Sequence, residues 1–125
     1  MSNDEPTVLE AYIGGFGGTS YWVTWKAGAI EYRTSNRDSE KPDVVMIQPE
    51  AADWQIFWKA LDGARVWKWA KNYAPREMVY DGTSWELVVR HQERKLKSGG
   101  SNAYPDNFDV LLDAVSKLLG GRDFR

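Results

Sequence analysis

The sequence predicts an α+β fold: an antiparallel meander of about six to seven strands, with two amphipathic helices packed on one face. Three observations carry this expectation. Two stretches, about residues 50–62 and 106–119, repeat apolar residues at helical spacing. Several others alternate apolar and polar residues over four to nine positions, as half-buried strands do. Glycine, proline, asparagine and aspartate separate these stretches at short intervals, which favours hairpins over long crossovers. With 125 residues the chain is read as one domain over residues 8–121, with a disordered tail at 1–7 and a frayed end at 122–125.

Taken in order, residues 8–13 form a short strand that ends at the glycine cluster of residues 14–18. That cluster resembles a phosphate-binding loop only superficially. Its spacing is not G-x-G-x-x-G, no G-K-[ST] follows, and a β-rich run comes next where a helix is required. It is read as a turn, with Phe16 folding back on the sheet. Residues 20–26 place Tyr21, Val23 and Trp25 on one face and Trp22, Thr24 and Lys26 on the other. Ala27 and Gly28 turn the chain into a returning strand at 29–34. The polar stretch 35–43 is a loop, and 44–47 a brief strand.

Pro49 opens the first helix, with Glu50 and Asp53 near its positive end. Trp54, Phe57, Trp58 and Leu61 make a single apolar stripe, and Gly63 supplies the stop. Residues 66–73, VWKWAKNY, alternate in part and are read as a strand followed by an irregular loop to Pro75. Another short strand is expected at 76–80. The stretch 81–105 then forms a hairpin that fixes sheet register: Trp85, Leu87, Val89 and His91 share one face, residues 92–94 make the tip, and 95–98 return. In the closing helix, Phe108, Leu111, Leu112, Val115, Leu118 and Leu119 hold one face, and Gly120-Gly121 end it.

Composition bounds the function classes. Seven Trp, six Tyr and four Phe supply a core from few side chains. Net charge is −2, which argues against a general nucleic-acid binder. Its distribution is uneven: residues 1–62 carry five basic and ten acidic side chains, and residues 63–125 carry eleven and eight. There are no cysteines, so disulfide and thiolate chemistry are excluded. The polar N-terminus lacks the basic and apolar segments of a signal peptide, and no apolar run approaches the roughly 20 residues of a membrane helix. The expected location is the cytoplasm, with no membrane partner.

No motif carries catalysis. The one histidine, His91, sits on a strand without a Cys or a G-x-S-x-G serine to act on, and scattered carboxylates offer no metal-ligand spacing. The acidic loop containing Asp38, Glu40 and Asp43 also holds Arg37 and Lys41, the composition of a solvated loop. No cofactor or metal is expected, and the balance is against an enzyme. Two candidate binding surfaces remain. Arg90, Arg94 and Lys95 gather at the hairpin tip, where cations select an acidic partner or guard a sheet edge. Trp85, Asn102 and Tyr104 surround the glycine-rich turn before the last helix, where hydrogen-bonding side chains could meet a small ligand or simply bend the chain.

Asp81-Gly82-x-x-Trp85, then Ser98-Gly-Gly-Ser-Asn-Ala-Tyr-Pro105 and an amphipathic C-terminal helix, resemble a pattern carried by a group of small uncharacterised bacterial proteins. The early glycine-rich turn and the Trp-containing central helix are similar too, so the likeness covers about residues 8–120. It implies no activity, cofactor or catalytic residue. The sequence therefore favours a small binding or interaction module, of inhibitor or immunity type, that occludes a protein partner. The alternative is a small-ligand or nucleotide-binding protein using the Asn102–Tyr104 loop. Oligomeric state is not encoded in any motif.

Overall fold

Alternation along the N-terminal strand sets the architecture. In β1 (Val8–Gly15), Leu9, Ala11 and Ile13 are buried while Glu10 is exposed and Tyr12 half-buried, so the strand has one core face and one outer face. The computed structural model describes residues 4–15, 18–36, 42–75 and 82–125. It is an α+β structure: one seven-stranded, mostly antiparallel sheet with two helices packed on one face. The other strands are β2 (Ser20–Lys26), β3 (Ala29–Ser35), β4 (Asp43–Ile47), β5 (Asn72–Tyr73), β6 (Thr83–His91) and β7 (Arg94–Ser101). Their order across the sheet is β4-β3-β2-β1-β6-β7-β5.

Two meanders thus meet on β1, which pairs antiparallel with β2 on one side and β6 on the other. The register sets Ala11 opposite both Val23 and Leu87, giving one apolar row across the centre. The β2–β3 hairpin turns at Ala27 and Gly28, both at positive φ, the backbone sense that matches strand twist. The β6–β7 hairpin turns at Gln92-Glu93, with Gln92 at φ +56. The returning strand does not stop at Ser98 but continues through Gly99 and Gly100 to Ser101.

Helix α1 (Ala51–Gly63) begins where the Asp53 carboxylate accepts the Glu50 N–H at 2.9 Å. Trp54, Phe57, Trp58 and Leu61 are its buried stripe. The helix ends at Gly63 as expected, Ala64 caps it with its N–H on the Ala60 carbonyl, and the chain turns away at Arg65, φ +57. Ala64 and Val66 are both buried, so the turn must return the backbone to the core at once. Helix α2 (Phe108–Leu118) starts later than residue 106, because Asn107 is left-handed at φ +64 and the Phe108 N–H bonds back to the Pro105 carbonyl at 3.3 Å. All six residues expected on its buried face are buried, and Gly120 at φ +73 terminates it.

Residues 66–73 differ from the expectation of a strand. Val66–Lys68 is a single 3-10 turn, closed by Lys68 N–H to Arg65 O and Trp69 N–H to Val66 O, both at 3.0 Å. Trp67 swings out to donate to Asp62 at 2.9 Å, while Val66 points inward. Only Asn72 and Tyr73 join the sheet, pairing parallel with Gly99 and Gly100, which departs from a pure antiparallel meander. The strand expected at 76–80, the Phe16 contact and the acidic loop at 37–41 lie outside the described residues.

Aromatic rings fill the space between sheet and helices. Trp54 meets Trp25 edge-on at 5.3 Å, and Trp58 stacks on His91 at 3.9 Å with 6° between the planes. His91 is therefore a packed core side chain beside α1. Asp4, Asp123 and Phe124 are also held against the body of the fold. The Asp4 carbonyl accepts from Trp58 Nε1 at 2.6 Å. Phe124, in the segment expected to fray, is 3% exposed near Tyr21, and the Tyr32 hydroxyl donates to the Asp123 carbonyl.

Burial first, then the neighbouring Tyr21 and Asp123, push the Tyr32 hydroxyl above its ordinary pKa of 10.0. The folded chain then holds this proton more tightly than the unfolded chain. Its contribution to stability is complete below pH 10 and is lost as pH climbs through the raised folded value. Urea titrations from pH 9 upward are expected to show falling midpoints, with a shallower fall in Tyr32→Phe. Equal slopes in the two proteins would assign the loss to other groups.

Candidate functional site

Strand alternation decides which side chains can meet a partner, because the helices cover only one face of the sheet. The β6–β7 hairpin shows the consequence. Arg90 and Lys95 are cross-strand partners, and their parity puts both on the open face with Lys97. Arg94 pairs with buried His91 and so lies on the helix side. Its guanidinium bonds Asp62 at 2.6 Å and sits 4.4 Å from the Trp67 ring centroid. The Trp67 indole donates to the same carboxylate, so these groups clamp the hairpin tip to the end of α1. Arg90, Arg94 and Lys95, close in sequence, are thus divided by the sheet.

The second predicted cluster is held together, and its groups are engaged within the fold. Trp85 is buried, packs on Phe108 at 4.7 Å and donates its indole N–H to the Ala103 carbonyl at 2.9 Å. Asn102 is left-handed at φ +53. Its Oδ1 accepts the Thr83 N–H at 2.9 Å while its own N–H donates to the Thr83 carbonyl at 2.8 Å. This reciprocal pair closes the open end of the β6–β7 ladder. Gly100 is required here, since a β-carbon would lie 2.7 Å from the Ala103 carbonyl and 2.8 Å from the Trp85 indole nitrogen. Tyr104 alone of the trio is exposed, its ring 5.0 Å from Phe108.

The open face holds a group that residue-by-residue motif reading passes over. Tyr12 on β1 and Trp22 on β2 are directly opposite, with ring centroids 5.3 Å apart. Arg33 is the next cross-strand neighbour, its guanidinium 5.1 Å from the Trp22 ring. Glu86 lies opposite Tyr12 on the other side, and Glu10 opposite Thr24 in the adjoining row. Tyr12, Trp22, Thr24, Glu10 and Glu86 line a shallow depression of about 470 Å³. Farther out, Lys26 bonds Glu31 and holds that carboxyl below its usual 4.5. The available signal was parity: Trp22 falls on the face opposite Tyr21, Val23 and Trp25, and Tyr12 on the face opposite Ala11 and Ile13.

The arrangement is suited to contact through ring faces and charges. Ring faces and the Arg33 fork suit flat, partly apolar contact, Glu10 and Glu86 favour cations, and Arg90, Lys95 and Lys97 favour anions at the opposite corner. Among the described residues, no group of three or more His, Asp or Glu side chains is placed to hold a metal ion. No described helix is long and apolar enough to cross a membrane.

Replacing Asn102 by alanine removes the Thr83 acceptor and leaves a non-glycine residue at positive φ. The expected loss is about 1–3 kcal/mol in urea unfolding. Asn102→Asp, which keeps an Oδ acceptor, should recover part of it. An unchanged midpoint in Asn102→Ala would remove this residue from the fold's support.

No family model matches the chain, and no curated protein matches it in sequence.

Proposed function

We propose that the protein is a small interaction module that binds a protein partner through the open face of its sheet and acts by occluding the surface it covers. The observation that carries this reading is the Tyr12–Trp22–Arg33 row. Tyrosine, tryptophan and arginine are the residue types that dominate binding energy at protein interfaces. Here they lie against one another, the two rings tilted by 37°, on the face that the helices leave uncovered. The surrounding charges add selectivity: acidic Glu10 and Glu86 beside the rings, basic Arg90, Lys95 and Lys97 toward the hairpin tip. A divided field of this kind orients a partner and rejects mismatched ones.

The test compares wild type with Trp22→Ala, and separately with Arg90→Glu/Lys95→Glu, as tagged baits in a lysate of the source cells. A stoichiometric partner is expected with wild type, and Trp22→Ala should weaken its affinity by ~30-fold, about 2 kcal/mol, at nearly unchanged thermal stability. Equal capture by Trp22→Ala, with loss in the charge-reversed pair, would move the interface to the basic corner. Equal capture by all three would defeat the open-face reading.

A second reading, a small anionic ligand such as a nucleotide, is favoured by one observation. Exposed Tyr104 borders a depression of about 550 Å³ that also takes in Arg65, Lys68 and Trp69. Aromatic stacking with two nearby cations suits a base and its phosphate. Calorimetry with ATP and GTP, on wild type and on Lys68→Ala/Tyr104→Ala, is the direct check. Under this reading wild type binds one of them and the double variant does not; no heat with wild type rejects nucleotides as ligands.

A further inference from the structure

The sheet ends in two edges of different character. On one side β5 is only two residues long, a length that offers an incoming strand little to pair with. On the other, β4 is five residues, apolar on both faces, with Val44 and Met46 toward the open side and Val45 and Ile47 toward the helices. Val44, Val45 and Met46 are 49%, 38% and 55% exposed, half of the six large exposed hydrophobic residues among those described. The strand carries no lysine and no proline, and its single charge, Asp43, sits at one end. Edges exposed in this way are templates for another strand.

We propose that the occupant of this edge is a second copy of the chain, whose β4 pairs antiparallel with the first about a two-fold axis through Val45. The strand is self-complementary in that register. Val44 lies opposite Met46 of the second copy, Val45 opposite itself, and Asp43 opposite Ile47, so no like charges meet. Facing residues share parity, which keeps both helix layers on one side and joins the two open faces into one surface. The flanking strand agrees in sign. Arg33 backs Val44 and Glu31 backs Met46, so each positive group is aligned across the axis with a negative group of the other copy. A different incoming strand would have to be apolar on both faces to match β4, and β4 already has that pattern. Five paired residues make a contact below the ~1,200 Å² of standard interfaces, so the dimer is weak and concentration-dependent.

Sedimentation velocity over rising concentration tests this on the full chain. Wild type should pass from monomer to dimer between about 10 µM and 1 mM. V44K/M46K places lysines opposite lysines and should weaken dimerisation at least tenfold, with an unaltered circular dichroism spectrum. V44K/M46E places opposite charges at the same facing positions and should dimerise again, less well as salt is raised. In a chain without cysteine, Val45→Cys should form a disulfide-linked dimer under mild oxidation. Wild type that stays monomeric to 1 mM, V44K/M46K that dimerises normally, or Val45→Cys that fails to cross-link would each overturn the proposal. A monomeric wild type whose β4 amides gain exchange protection only with an added valine-rich peptide would assign the edge to a different partner.

Discussion

The double pairing of β1 holds two otherwise separate hairpin systems in one sheet. On one side lies the β2–β3–β4 meander, on the other the β6–β7 hairpin, and the strand between them shares hydrogen-bonding ladders with both. Residues Leu9, Ala11 and Ile13 are buried because this register places them over Val23, Trp85, Leu87 and Val89. A slip of one residue would carry Glu10 and Tyr12 inward and expose the apolar set, so the register is strongly specified. The helix layer depends on it as well: Trp58 stacks on His91 only because β6 presents its odd-numbered residues to α1.

Aromatic side chains explain how so much core fits a short chain. Trp54, Phe57 and Trp58 interlock on α1 with centroids 5.0–5.9 Å apart, and Trp25 closes the cluster edge-on. Several of the chain's tryptophans also bond a polar atom at the periphery, as Trp58 does with Asp4, Trp67 with Asp62 and Trp85 with Ala103. A tryptophan used in this way contributes apolar area and a directional bond together. Asp4 and the Asn102 loop are held by such bonds, which is why these segments with weak local signals nonetheless occupy defined places.

Elements with a strong local period were legible in the sequence. The α2 stripe from Phe108 to Leu119 and the alternation from Trp85 to His91 are properties of neighbouring residues, and they map directly onto burial. Residues 66–73 were not legible in that way. Trp67 and Trp69 alternate like strand residues, yet the buried Val66, the Asp62 acceptor and the Arg94 guanidinium turn the chain into a 3-10 segment, and two of those three partners are not in the stretch itself. Phe124 is the same case: its burial depends on Tyr21, more than a hundred positions away. The hairpin cations were legible as a cluster in sequence, but strand parity separates Arg94 from Arg90 and Lys95, and the ion pair with Asp62 gives it a structural task.

One-sided coverage has a consequence for binding. Two helices suffice to bury the odd-numbered face of β6 and its equivalents on β1 to β3, and they leave the opposite face to a mixture of charged, aromatic, polar and a few aliphatic groups. On that face a side chain is free of packing duties, so its identity reflects solubility or recognition. Glu10, Glu31 and Lys26 fit solubility well. A half-buried tryptophan contacted by a tyrosine and an arginine does not, because its ring adds little to solubility. The same logic reaches the sheet's margin, where β4 keeps apolar residues on both sides although the core uses only part of one. The uncovered face and the undefended edge are continuous through Arg33, which lies between Trp22 and Val44. Any molecule seated on one of these surfaces therefore approaches the other, and occupancy of the two is expected to be coupled through that arginine.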